Sequence, residues 1–455
     1  MSIAATHTAL ARGTTTRREL AEQHLTRIAA TNAEVNAIVE LNDGLLDQAT
    51  QADQQLGTTI GGPLDGAIMS IKDSFAVAGL HRTDGVAAWS ERVAIHDEEV
   101  VARLRAAGAL VVGRTNVPDL CIRWNTISSA HGTTRNPRDL SCSAGGSSGG
   151  EAAAVAAGYS DVGLGADLGG SIRVPASFNR VYGMRPSAGL VPDISELPCL
   201  PNSMVTDAMN CTGPFARNVD DLARVHRVIC GPHPGDPKTL PITLRESAAR
   251  PRIAVMRDET GATIDDEISA RLDLVVEGLR EVGYVVDEHV VPGLQQAPEI
   301  WAQIIGTDLL ENTIPAVGAL IDPTGLQHIE EMFGQFTLGN DVSAYYQAWL
   351  DRRELMTTLS TFMAEYPIIV APVAGMATPP LAFDHLLDAV QTRALFDAMR
   401  CVPWVNLFGL PSLCTPLGIQ LVGARFSDLD LIAAARAIEP LIGPVPIAGV
   451  NDAER

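Results

Sequence analysis

Lysine is almost missing from this chain. Of 33 basic residues only Lys72 and Lys238 are lysine, and the rest are arginine. Positive charge is scarce in general, with 54 acidic side chains giving a formal net charge of −21. That balance excludes a nucleic-acid partner, which needs a basic footprint. The acids are scattered and read as a solvated surface. The seven cysteines (Cys121, Cys142, Cys199, Cys211, Cys230, Cys401 and Cys414) contain no C-x-x-C pair and no zinc spacing. An odd number without a framework predicts reduced thiols and a cytoplasmic protein. The first residues, MSIAATHTALARGTTTRREL, lack the apolar core of a signal peptide. No uninterrupted apolar run reaches about 18 residues, so no membrane span is expected. No G-x-G-x-x-G lies between a strand and a helix, and no G-x-x-x-x-G-K-[ST] occurs, which excludes the common nucleotide cradles. Repeats and low-complexity tracts are absent too.

What is present is a large apolar fraction, 46% of 455 residues, enough for an extensive core. Thr16-Arg17-Arg18-Glu19 has the form of a capping box before an amphipathic stretch through Leu20, Ala21, Leu25 and Ile28. A turn and strand are predicted over Gly61 to Ile71, a helix over Asp97 to Ala107 ended by Gly108, and a buried strand over Ala109 to Gly113. Strands are also predicted at Arg252 to Met256, Tyr284 to Val286, Ile368 to Val373 and Ile419 to Val422. Helices are predicted at Glu151 to Ala157, Asp265 to Val282 and Asp428 to Ile438, with a mostly helical stretch from Trp301 to Leu350. This alternation predicts an α/β protein with a mixed sheet covered by helices on both faces. The proline-punctuated stretch from Ala188 to Met209 reads as a loop over the active site, and residues 301–350 as the lining of a substrate channel.

The most informative run extends from Gly145 to Pro175, GGSSGGEAAAVAAGYSDVGLGADLGGSIRVP. It holds two glycine-flanked serines, Ser147 and Ser171, 24 positions apart. Glycine beside serine allows left-handed backbone and close approach to a ligand. Consecutive backbone N–H groups before a hydroxyl can hold a developing oxyanion. Such a run supplies a nucleophile, a relay hydroxyl and an anion cradle, and requires a base. The candidate base is Lys72, kept as lysine in the apolar stretch Ala67-Ile68-Met69-Ser70-Ile71. Arginine cannot lose its proton in a protein, whereas a buried lysine can.

These residues resemble the amidase-signature hydrolases, whose triad is Ser–cisSer–Lys. The matching blocks are Gly66 to Leu80, Gly113 to Asp119, Gly145 to Gly150 and Gly165 to Pro175. Gly213 to Arg217, Asn406 to Pro411 and Gly418 to Gly423 also fit, so the resemblance covers nearly the whole chain. It implies one large domain over residues 1–455, against the two or three that length alone suggests, with a signature core at about 61–190 and covering segments at 188–209 and 301–350. It further implies that Ser171 is the nucleophile, Ser147 the relay after a cis peptide bond, and Lys72 the base. The oxyanion hole would be the N–H groups of Leu168, Gly169, Gly170 and Ser171, with the Leu168 side chain facing the acyl side. Asp73, Asp167, Arg173, Asn116 and Asp119 are expected to be structural, Trp124 to pack in the core, and Asn125 to approach the pocket. Val174 stands where subunits feeding ammonia to tRNA-linked transamidation carry glutamine, which favours a hydrolase.

The expected substrate is a small-molecule carboxylic amide, aryl or medium-chain given the apolar character of Leu168 and Leu190 to Leu200, with esters and carbamates (urethanes) admitted by the same tetrahedral chemistry. No metal, organic cofactor or membrane partner is expected, and a homodimer is left open. Two alternatives stand beside this. One is a glutamine-amidotransferase-type subunit working with partner chains. The other reads Gly145-Gly146-Ser147-Ser148-Gly149 as the G-x-S-x-G elbow of an esterase with a Ser-His-Asp triad. The elbow needs a preceding strand, and Arg138 to Ser143 is not strand-like.

Overall fold

The computed structural model describes residues 1–194, 203–385 and 387–449. Its centre is an 11-stranded mixed sheet. In chain order the strands are β1 (Ile38–Leu41), β2 (Ile68–Lys72), β3 (Leu110–Thr115), β4 (Val162–Ala166), β5 (Tyr182–Arg185), β6 (Thr212–Ala216), β7 (Ile253–Val255), β8 (Val286–Glu288), β9 (Ile368–Pro372), β10 (Ser412–Cys414) and β11 (Ile419–Gly423). Their spatial order is β1-β3-β2-β4-β6-β5-β10-β11-β9-β7-β8. β2 runs parallel to both β3 and β4, whereas β6 is antiparallel to β4. The sheet is thus mixed and belongs to a single domain.

β2 shows how the sequence sets the site. All five of its residues are buried. Side chains alternate across a strand. Met69 and Ile71 enter one core cluster together with the helices Val219–Ile229 and Asp428–Ile442. Ile68, Ser70 and Lys72 therefore share the opposite face, where Ile68 packs with the alanines of the helix Gly149–Ala156. Small alanines let that helix lie close to the sheet. The larger cluster contains the helices Ala297–Asp308, Pro323–Gly334 and Ala389–Met399. Helices thus cover both faces.

The capping box is present: the Thr16 side chain accepts from the Glu19 N–H, and the Glu19 carboxylate accepts from the Thr16 N–H. Two sequence expectations need correction. Asp139–Ser143 is a strand, paired with Arg135–Asn136 in a separate two-stranded hairpin. Polar side chains form it because its outer face meets solvent, and it stays outside the main sheet. Within 188–209, Met204–Met209 is a helix, capped by the Ser203 side chain accepting from the Thr206 N–H. Residues 195–202 of that segment lie outside the described residues.

Candidate active site

The site forms at the carboxyl ends of the neighbouring parallel strands β2 and β4, the usual place for ligands in such sheets. Lys72 is the last residue of β2 and is 1% exposed. Its Nζ donates to Ser147 Oγ at 2.8 Å. Burial lowers its pKa from the ordinary lysine value, while Cys121, Asp167, Asp84 and Glu151, where ionised, act the other way. No carboxylate pairs with this ammonium among the described residues, and desolvation prevails.

Ser147 follows a cis Gly146–Ser147 peptide bond and precedes the helix Gly149–Ala156. Gly146 lies so close to the Arg123–Asn125 backbone that a Cβ would collide with it. Behind Lys72, on the same strand face, Ser70 donates to the Glu151 carboxyl and Thr115 Oγ1 donates to it at 2.8 Å. Glu151 is fully buried, and burial pushes its pKa up to about 8 against those hydrogen bonds.

The second serine stands on the turn that leaves β4. The Ser148 N–H donates to the Ser171 carbonyl at 3.2 Å, which draws the two glycine–serine segments together. Asp167 anchors the turn. It accepts from Arg173 Nε at 3.0 Å and Nη2 at 3.0 Å, and from the N–H groups of Gly170 at 2.7 Å and Ile172 at 3.1 Å. Burial would raise its pKa, yet the Arg173 charge and hydrogen bonds hold it well below the carboxylate range. Asn406 Nδ2 donates to Asp167 Oδ1 at 2.8 Å, and Arg173 Nη1 donates to Gln420 Oε1 at 3.0 Å. The two C-terminal motif blocks thus brace this turn. Gly170, with φ +103°, takes a conformation that favours glycine. Its N–H is already directed at Asp167, which corrects the four-donor expectation. Among the described residues, the N–H groups of Leu168, Gly169 and Ser171 meet no protein acceptor.

Lys72, Ser147, Leu168, Gly169 and Ser171 all line one cavity of about 670 Å³. Its far wall comes from the 301–350 segment through Trp301, Ile305, His328, Met332 and Phe333. Val205 and Thr206 of the Met204–Met209 helix add another side. Trp124 is buried and also reaches the cavity. Asn125 does not line it, and instead donates to Asp384 and accepts from Ser143. Leu190 belongs to the core cluster that holds Met69, not to the cavity lining, because it packs beneath the sheet; 195–200 lie outside the described residues. Asp73 accepts from Thr83 and Arg114, Asn116 from Ser128, and Asp119 from the N–H groups of Ser129 and Asp322.

No histidine among the described residues hydrogen-bonds Ser147 or Ser171, which counts against a Ser-His-Asp arrangement. The six described cysteines are free. No described group of three or more His, Cys, Asp and Glu could hold a metal ion, and no described helix is long and apolar enough to cross a membrane. Sequence reasoning missed Glu151 and Cys121 as neighbours of the site, whereas Trp301 belongs to the 301–350 segment read as a channel lining. The one local signal was a charged residue, Glu151, in an otherwise alanine-rich helix.

Residues 19–432 match the family model described as Amidase. The chain is 30% identical over 440 residues to an indoleacetamide hydrolase of Bradyrhizobium diazoefficiens, covering 93% of this chain and 83% of that protein. It is also 30% identical over 461 residues to the A subunit of the glutamyl-tRNA(Gln) amidotransferase of Symbiobacterium thermophilum, covering 92% of each. Among solved structures, a bacterial aryl acylamidase of the amidase signature family superposes with a TM-score of 0.84 at 24% identity, covering 100% of this chain and 99% of the other. A 6-aminohexanoate cyclic dimer hydrolase gives 0.82 at 24% identity, covering 99% of both chains. The last two likenesses speak for the fold, and the family match extends over the segments that build the cavity. The chain belongs to the amidase family, the amidase-signature enzymes, and is an amide hydrolase.

Proposed function

We propose that this enzyme cleaves amide bonds through an acyl-enzyme on Ser171, with Ser147 as relay and Lys72 as base. The observation that carries the reading is the buried contact between Lys72 Nζ and Ser147 Oγ, 2.8 Å long and, among the described residues, free of any carboxylate partner. A neutral amine there accepts the Ser147 proton as Ser147 takes that of Ser171, whose Oγ attacks the carbonyl carbon. A serine hydroxyl is a poor nucleophile without such a base. The oxyanion is held by the N–H groups of Leu168, Gly169 and Ser171. Collapse breaks the C–N bond, and the proton on Lys72 returns through Ser147 to the leaving amine. Water then enters by the same relay, releases the acid and restores Ser171. The cytoplasm is the proposed location.

The aromatic and aliphatic walls, Trp124, Trp301, Ile305, Met332 and Phe333, favour aryl or medium-chain acyl amides over small polar ones. Esters and carbamates offer the same carbonyl geometry. Relatives named for indoleacetamide hydrolysis fit that class. The relatives named as amidotransferase components support a second reading, in which the chain needs partner chains.

One assay separates these. The purified chain alone, given anilides, aliphatic amides, esters and carbamates, should release amine or alcohol most rapidly from aryl substrates. Ser171→Ala should abolish turnover, with Ser147→Ala close behind because relay members act as a unit. Activity near the wild-type level in Ser171→Ala overturns the assignment. Turnover appearing only with added partner chains supports the second reading.

A further inference from the structure

We infer that Trp301 and Trp124 are positioning residues for the oxyanion-binding turn: their indole N–H groups hold the Leu168 and Gly169 carbonyls and thereby aim the Gly169 N–H at the reacting oxygen. This rests on the proposed attack by Ser171.

Trp301 Nε1 donates to the Leu168 carbonyl at 3.2 Å, and Trp124 Nε1 donates to the Gly169 carbonyl at 2.8 Å. The peptide units 168–169 and 169–170 are trans. In a planar trans unit the C=O and N–H point in opposite directions. Fixing the Leu168 carbonyl therefore fixes where the Gly169 N–H points, and that N–H meets no acceptor among the described residues. The next unit is held at both ends, by Trp124 on its carbonyl and by Asp167 Oδ1 on the Gly170 N–H at 2.7 Å. One peptide is locked, and the adjoining one is locked at its carbonyl with its donor free.

The indoles are themselves braced. Their rings lie 6.4 Å apart with 18° between planes, and Trp301 contacts Phe333 at 6.1 Å. Position 169 has no room for a side chain, since a Cβ would strike the Trp301 ring. A hydrogen bond to the carbonyl also polarises the amide and strengthens its N–H as a donor. Any buried indole N–H seeks a partner. What distinguishes this pair is that consecutive peptides of one turn receive them.

The test replaces each indole by a ring without the N–H. Trp301→Phe should lower kcat on an anilide roughly 10- to 100-fold with KM within about threefold, since a misdirected donor costs less than the loss of one. The affinity for a trifluoromethyl ketone carrying the same acyl group should fall by the same factor, and that of the carboxylate product should hold. Trp124→Phe should lower kcat less, because Asp167 still holds the second peptide. If Trp301→Phe melts too low to assay, β-(3-benzothienyl)alanine placed at 301 by codon suppression, with sulfur in place of N–H, gives the same readouts. A rise in KM alone, or unchanged ketone affinity, makes the tryptophans mere walls and overturns the inference. Ser171→Ala is the control. If it keeps tight ketone binding, the nucleophile assignment fails, and the inference fails with it. If it loses tight binding while Trp301→Phe keeps it, only the tryptophan inference fails.

Discussion

Lys72 and Lys238 are the same side chain in opposite surroundings. Lys238 is 31% exposed at its side chain and donates to Asp207 at 2.6 Å, with Asp236 at 4.0 Å. Burial pulls its pKa down, but these carboxylates prevail and it ends above the ordinary value. Lys72 is buried, its hydrogen-bond partner is a hydroxyl, and its pKa falls. Desolvation works on both. The proximity of a carboxylate decides the direction, and the proposed base is the lysine from which the fold withholds a counter-ion.

The sharpest way to break this comparison is Lys72→Arg. Arginine keeps the charge and cannot deprotonate, so kcat/KM should fall by about 10²–10⁴. Lys238→Arg should leave turnover unchanged in the same anilide assay. In the wild type, activity should rise with pH through a lysine pKa below the ordinary value, because the neutral amine is the active form. A flat profile across the alkaline range would count against Lys72 as base.

Buried and exposed ion pairs sharpen the same contrast. Arg173→Met leaves the Asp167 carboxylate buried without its cation, and urea unfolding should show a loss of about 3–5 kcal/mol. Glu151 carries a pH-dependent effect. Its folded pKa, about 8, exceeds the ordinary glutamate value of 4.5, so its contribution is complete below the unfolded pKa and fades as pH rises toward 8. The melting-temperature advantage of wild type over Glu151→Gln should therefore shrink between those limits, and a constant difference would refute a protonated Glu151. Smallest is Lys238→Ala, which removes a half-exposed pair and should cost under about 1 kcal/mol by the same unfolding measurement.

Local signals carried much of the fold. The Thr16–Glu19 capping box and the apolar run of β2 contain their own explanation, and burial of that run is what makes Lys72 unusual. The polar hairpin strand at Asp139–Ser143 was not legible, because its pairing and not its composition makes it a strand. At the site, the glycine–serine spacing and Lys72 were legible. The bracing was not: Asn406 and Gln420 meet Arg173 across sequence separations of 233 and 247, and Trp301 meets Leu168 across 133. The commitment of the Gly170 N–H to Asp167 depends likewise on a side-chain direction that no motif spells out.

The cavity joins parts of the chain that lie far apart in sequence. The serines and lysine fall between 72 and 171, whereas the wall opposite is drawn from 301 to 333. On the proposed reading, Ile305 and Met332 touch only the choice of acyl group, whereas Trp301 belongs both to that wall and to the reacting turn. If the proposed roles hold, replacing Ile305 or Met332 reshapes what is admitted while the proposed proton path is left as it stands, a natural arrangement for descendants of one scaffold to acquire new diets.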